Sequence, residues 1–153
     1  MSTEHILKSH NKSLLMYHLV CPVKYRRKVF TDKVENTLKN ICLEIEKRYE
    51  IYFIEIGADK DHVHFLIQSI PKLSITKIIT IIKSITAREI FKTHPTIKKE
   101  ILWGGQFWTD GYYVNTVGKF SNEEMMKNYI RNQGKEKRNY KQIYFNPNQP
   151  TLF

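Results

Sequence analysis

Acidic residues are in short supply: fifteen Asp and Glu stand against twenty-five Lys and Arg in 153 residues, for a net charge of +10. That balance favours a polyanionic partner, nucleic acid before a membrane surface. No apolar run approaches the ~18 residues of a membrane span, and the N-terminus, Met1 to His5, is polar rather than signal-like. A cytoplasmic protein with no membrane partner is the expectation. Cysteine is scarce too. Cys21 sits in an apolar run and Cys42 in a helical pattern, with neither zinc spacing nor a disulfide framework, so both read as buried thiols. Five prolines and six glycines leave no linker-like or low-complexity stretch, and no internal repeat divides the chain. With 41% apolar and 12% aromatic residues there is ample material for a core. The expectation is one domain, 1–153, with tails at 1–12 and 139–153.

Periodicity supplies the elements. Residues 14–23 form an apolar run that contains Tyr17 and His18 and reads as a first strand. Thr31 caps a helix to about Tyr49, with Val34, Leu38, Ile41, Cys42 and Ile45 at helical spacing. Residues 51–56 read as a strand, 57–61 as a turn and 62–68 as a second strand of the same hairpin. Ser74 opens a helix to about Thr93, striped by Ile75, Ile78, Ile79, Ile82, Ile85, Ile90 and Phe91 and stopped by Pro95. Residues 112–117 read as a fourth strand, Gly118 as a break. Ser121 or Asn122 caps a last helix whose first turn is acidic and whose end is basic. From Asn139 the polar tail reads as a docking arm or as disordered chain. This order predicts an α+β fold of the ferredoxin-like, RRM-like split β-α-β type. Its antiparallel sheet of four to five strands has two helices on one face and the other face open.

Three patterns carry chemistry. In Asp61-His62-Val63-His64 the strand period puts both imidazoles on one face, with Cα atoms about 6.5 to 7 Å apart. That spacing suits a cation site, and equally suits hydrogen-bonded polar residues on a strand. On the last helix Tyr129 and Gln133 stand four residues apart on one face. A phenol can act as a nucleophile and an amide oxygen can ligate a hard cation, but a partly buried tyrosine beside an exposed glutamine has the same pattern. Lys24-Tyr25-Arg26-Arg27-Lys28, at the exit of the first strand, suits phosphate contacts with base stacking, or a solvated basic turn. Basic positions on the second helix, Lys77, Lys83, Arg88 and Lys92, extend the same footprint. The segment 102–111 is rich in glycine and aromatics and reads as a shaped loop. Its exposed rings could stack on unpaired bases, while at least one of Trp103 and Trp108 packs under the sheet.

Taken together, these segments resemble the single-tyrosine HUH transposases of small bacterial insertion sequences, members of the HUH endonuclease superfamily. The resemblance runs through Tyr17-His18-Leu19-Val20, the basic block to Val29, Asp61 to Leu66, Phe107-Trp108, Tyr112-Tyr113-Val114, and Tyr129-Ile130 to Asn132-Gln133-Gly134. It implies that His62, His64 and Gln133 bind Mg2+ or Mn2+, and that Tyr129 is the nucleophile. It further implies cleavage and rejoining of single-stranded DNA at hairpin-bearing element ends through a 5′-phosphotyrosine. The homodimer it implies shares each active site between subunits, with Gly118 as the hinge. Arg26, Arg27, Lys83 and Arg88 are the expected DNA contacts.

Two other readings compete. A replication-initiator or relaxase nickase, or a domesticated endonuclease of repeated hairpins, would keep the chemistry and change the substrate. Nickases commonly carry a third histidine ligand and extra domains. A non-catalytic single-stranded nucleic-acid-binding module would explain the charge and aromatics, but not the joint placement of His62, His64, Tyr129 and Gln133. A His-x-Thr phosphoesterase would need a second histidine motif.

Overall fold

The computed structural model describes residues 15–118 and 141–146. The expected last helix, with Tyr129 and Gln133, lies outside the described residues. Five strands, β1 (Leu15–Pro22), β2 (Ile51–Asp59), β3 (His62–Ser69), β4 (Tyr113–Gly118) and β5 (Lys141–Phe145), form one sheet in the order β4-β1-β3-β2-β5. Every adjacent pair is antiparallel. Two helices, α1 (Asp32–Arg48) and α2 (Ile75–Thr93), join the strands. Each starts where a hydroxyl satisfies an otherwise orphaned N–H. The Thr31 side chain accepts from Val34 N at 3.4 Å, and Ser74 accepts from Lys77 N at 3.1 Å.

Both helices lie on one face. The inward positions of β1 and β3 (Leu19, Cys21, Val63, Phe65, Ile67) meet Leu38, Cys42 and Ile45 of α1 and Ile78, Ile82 and Ile90 of α2 in one core. Phe53, Phe65 and Phe107 are fully buried there, where truncation to Ala costs about 3–5 kcal/mol. The other face is not the open platform expected. Met16, His18, Tyr52, Glu55, Leu66 and Gln68 are all buried. Met16, Tyr52 and Leu66 among them are large and apolar, and water is a poor neighbour for such side chains.

Two boundaries differ from the sequence expectation. Gly57, Ala58 and Asp59, expected in a turn, remain in β2 and pair with His64, Val63 and His62. Gly57 and Ala58 pair on their other side with Gln142 and Lys141. Ladder bonds on both sides outweigh the weak strand propensity of glycine, and the turn shrinks to Lys60 and Asp61. The second difference is β5, which arises from the expected polar tail. Ile143 and Tyr144 pack against the core, and Lys141 reaches the first turn of α1, 2.9 Å from Glu35 and 3.1 Å from Asp32.

The connection from α2 to β4 is anchored to the exit of β1. Thr109 N donates to Pro22 O at 3.0 Å, Lys24 N donates to Phe107 O at 2.8 Å, and Val23 pairs with Trp108. Trp108 is buried and donates its indole N–H to Thr86 of α2 at 2.9 Å. Trp103 is 75% exposed. The two tryptophans of one loop therefore have opposite fates.

Candidate metal centre and nucleic-acid interface

β3 is the central strand, and its period turns His62 and His64 away from the helices while Val63, Phe65 and Ile67 enter the core. Both histidines are half-buried. Their ring centroids are 5.2 Å apart. His62 Nδ1 is 2.8 Å from Asp61 Oδ1, and a carboxylate in that position fixes the tautomer and leaves Nε2 as the ligating nitrogen. Arg26 grips the same carboxylate, its Nε and Nη2 donating to Asp61 Oδ2 and Oδ1 at 3.3 and 3.4 Å. Burial alone would raise the Asp61 carboxyl. The hydrogen bonds from His62 and Arg26, with their charges, outweigh burial and hold it below the ordinary Asp value. Asp61 thus remains an anion.

β1 contributes a third imidazole. His18, buried, stacks on His64 with ring centroids 5.3 Å apart and Nε2 3.2 Å from His64 Nδ1. The register pairs His18 with Leu66 and Val20 with His64, so the two rings are diagonal neighbours on one face. Reading residues singly gives His18 no role; the signal lies in the pairing of β1 with β3. A further donor set lies at the hairpin tip, where ligand atoms of Asp59, Asp61 and His62 fall within 4.8 Å of one another. Oxygen and imidazole donors suit a hard or borderline divalent cation such as Mg2+ or Mn2+. The soft alternative is remote: both cysteines are buried, Cys21 with its thiol pushed up to about 12 by burial, slightly offset by Lys83. The residues present therefore fit a divalent cation.

The expected DNA contacts fall into two groups. Arg26 and Arg27 lie on an exposed turn at the exit of β1, beside the histidine site. Lys83 holds the loop before β4, donating to Thr109 O at 2.8 Å and Asp110 O at 3.3 Å, with its ammonium 5.4 Å from the Tyr112 ring centre. Arg88 pairs with Glu89 at 3.2 Å in a groove between α1 and α2, on the side of the sheet opposite His62 and His64. Tyr129 and Gln133 lie outside the described residues.

An antiparallel α+β sheet with imidazoles clustered on its central strand, a carboxylate behind one of them and a basic turn alongside defines a class of phosphodiester-processing nucleic-acid proteins. Comparison with known proteins narrows the class. A crystal structure at 1.90 Å resolution, assigned to a transposase from Deinococcus radiodurans R1, superposes with a TM-score of 0.63 at 32% identity, covering 78% of this chain and 91% of that one. The ISDra2 transposase TnpA of Deinococcus radiodurans is 34% identical over 119 residues, 78% of this chain and 84% of its own. The transposase for insertion sequence element IS200 of Salmonella typhimurium is 27% identical over 128 residues, 84% of this chain and 82% of its own. The sequence model of the family described as Transposase IS200 like matches residues 11–133. The chain belongs to that family, and it is an enzyme, a DNA transposase of the single-tyrosine HUH type of small insertion sequences. The expected fold class stands as well. Among the described residues no helix is long and apolar enough to cross a membrane.

Proposed function

We propose that the protein cleaves and rejoins single-stranded DNA at hairpin-bearing ends of its element through a 5′-phosphotyrosine on Tyr129. In this reading His62, His64 and Gln133 hold Mg2+ or Mn2+. The observation that carries it is the ordered chain Arg26–Asp61–His62 beside His64, because a carboxylate behind an imidazole is how proteins hold a ligating histidine in one tautomer. A divalent cation bound there supplies Lewis acidity at the scissile phosphate. The chain's own groups do the rest. The Tyr129 oxygen forms a bond to phosphorus, its proton passes to solvent, and the bond from phosphorus to the 3′ oxygen breaks, that oxygen taking a proton from solvent to become a 3′ hydroxyl. A 3′ hydroxyl from a second strand end then attacks the phosphotyrosine, restoring a diester and releasing Tyr129. One ester replaces another at each step, so no external energy source is required.

The described residues bracket the segment that carries Tyr129. The chain leaves the described residues at Gly118, on one edge of the sheet, and re-enters at Lys141 on the other. These edges are four strand spacings apart, about 19 Å, and α1 and α2 occupy the face opposite His62 and His64. We read the active unit as a homodimer in which the last helix of one subunit completes the histidine site of the other about a hinge at Gly118. The β4 edge, unpaired among the described residues, suits such an assembly. The test is incubation with labelled single-stranded DNA from the element ends and Mg2+ or Mn2+. Cleavage with one product covalently held by protein is expected; metal-independent hydrolysis to two free ends would contradict the reading.

A further inference from the structure

Two stretches far apart in sequence, the basic block after β1 and the glycine-rich aromatic loop before β4, form the walls of one cleft. It is lined by Lys24, Tyr25, Arg27, Trp103, Gly104 and Gln106 over a floor of Ile101 and Leu102. We propose that this cleft seats one unpaired nucleobase of the DNA between the Tyr25 and Trp103 rings, with Lys24 and Arg27 on the adjoining phosphates. The inference rests on the single-stranded DNA reading above and adds a specific base-binding position to it.

Four observations converge. Trp103 and Tyr25 are the two most exposed large apolar side chains among the described residues, at 75% and 70%, whereas Phe107 and Trp108 of the same loop are buried. Aromatic rings held in solvent beside cations match the way single strands are bound, by base stacking plus a basic track. Second, Tyr25 and Arg26 both adopt left-handed backbone conformations, φ 59° and 53°. Strain of about 1 kcal/mol or more at such residues persists where the surroundings impose it, and it gathers at ligand sites. Here it presents Tyr25 outward while turning Arg26 back onto Asp61, which couples the cleft to the histidine centre. Third, the walls are fixed: Lys24 N donates to Phe107 O at 2.8 Å, Gly105 N donates to Leu102 O at 3.0 Å, and Leu102 is buried. Lys24 also lies over the Tyr25 ring, 5.3 Å from its centre. Fourth, Gly104 lines the cleft without a positive φ or close packing, and a Cβ there would meet nothing within 4 Å. Among the described residues no acidic one lines the cleft, so this surface complements a nucleotide's charge, and the Gln106 amide offers a donor and an acceptor to a base edge.

The test compares two fluorescein-labelled probes by anisotropy, an oligothymidylate of about twenty nucleotides and an abasic backbone of the same length. Wild-type protein is expected to bind the oligothymidylate more tightly than the abasic strand. Trp103→Ala should weaken oligothymidylate binding about five-fold or more, with abasic binding unchanged. Gly104→Leu keeps both aromatics and should do the same by filling the cleft. In Trp103→Phe, binding should persist while the DNA-induced quench of tryptophan fluorescence is lost, because Trp108 is buried. If wild type binds the oligothymidylate and Trp103→Ala and Gly104→Leu bind it equally well, the cleft is not a base seat, while the single-strand reading stands. Equal wild-type affinity for the two probes has the same meaning. If wild type binds neither probe, the single-strand reading fails and this inference fails with it.

Discussion

His18 of β1 and His64 of β3 stack across the sheet, with Nε2 of one 3.2 Å from Nδ1 of the other. A partner at Nδ1 sets which nitrogen of His64 carries the proton and so which one faces a cation. His18→Phe keeps the ring volume and removes that partner. Mn2+ affinity, followed by the spectrum of the free ion, is expected to fall about ten-fold with the thermal midpoint little changed. Unchanged affinity would mean that His64 is oriented by other contacts.

Thr86 and Trp108 are both buried, and the indole N–H donates to Thr86 Oγ1 at 2.9 Å. Thr86→Val preserves shape but leaves that donor without its acceptor, which costs about 1–3 kcal/mol. Urea denaturation should show that loss. In a Trp108→Phe background the donor is gone, so the further effect of Thr86→Val should be much smaller.

Burial lifts the Glu46 carboxyl above its ordinary value of 4.5, while the Phe53 N–H, 2.7 Å away, pulls it down more weakly. The folded chain therefore keeps this proton to higher pH than the unfolded chain does. The stability from protonated Glu46 is fully present below the unfolded value and is lost as pH rises through the raised folded one. Glu46→Gln can accept from the same N–H at every pH. Its stability relative to wild type should rise from about pH 4.5 towards neutrality and be flat below, as read by urea denaturation across pH. A constant difference would contradict the burial account.

The composite site predicts complementation between subunits. Tyr129→Phe and His62→Ala should each be inactive alone. Mixed and allowed to exchange, they should regain part of the wild-type cleavage, since one heterodimer site combines an intact histidine pair with an intact tyrosine. No recovery in a mixture shown to form heterodimers would place each tyrosine with its own histidines.

Much of this architecture is legible residue by residue. The hydroxyl caps at Thr31 and Ser74, the isoleucine stripe of α2 and the alternation from His62 to Gln68 are local patterns, and local physics sets them. What escaped depends on partners distant in sequence. β5 is only five residues long and is a strand because β2 offers it an edge. His18 joins the histidine site because β1 lies beside β3. Trp108 is buried and Trp103 exposed because Thr86, on another element, receives one indole and nothing encloses the other. The second face of the sheet is buried even at His18, Glu55 and Gln68, polar positions that strand periodicity assigns to an open platform.

The central claim, transfer through Tyr129, is tested most directly by denaturing electrophoresis of protein incubated with labelled single-stranded element-end DNA and Mg2+ or Mn2+. Wild-type protein is predicted to form a band that survives denaturation and maps to the peptide containing Tyr129. Tyr129→Phe should form none while still binding the DNA, because phosphate contacts dominate affinity. An adduct at wild-type yield in Tyr129→Phe would contradict the account.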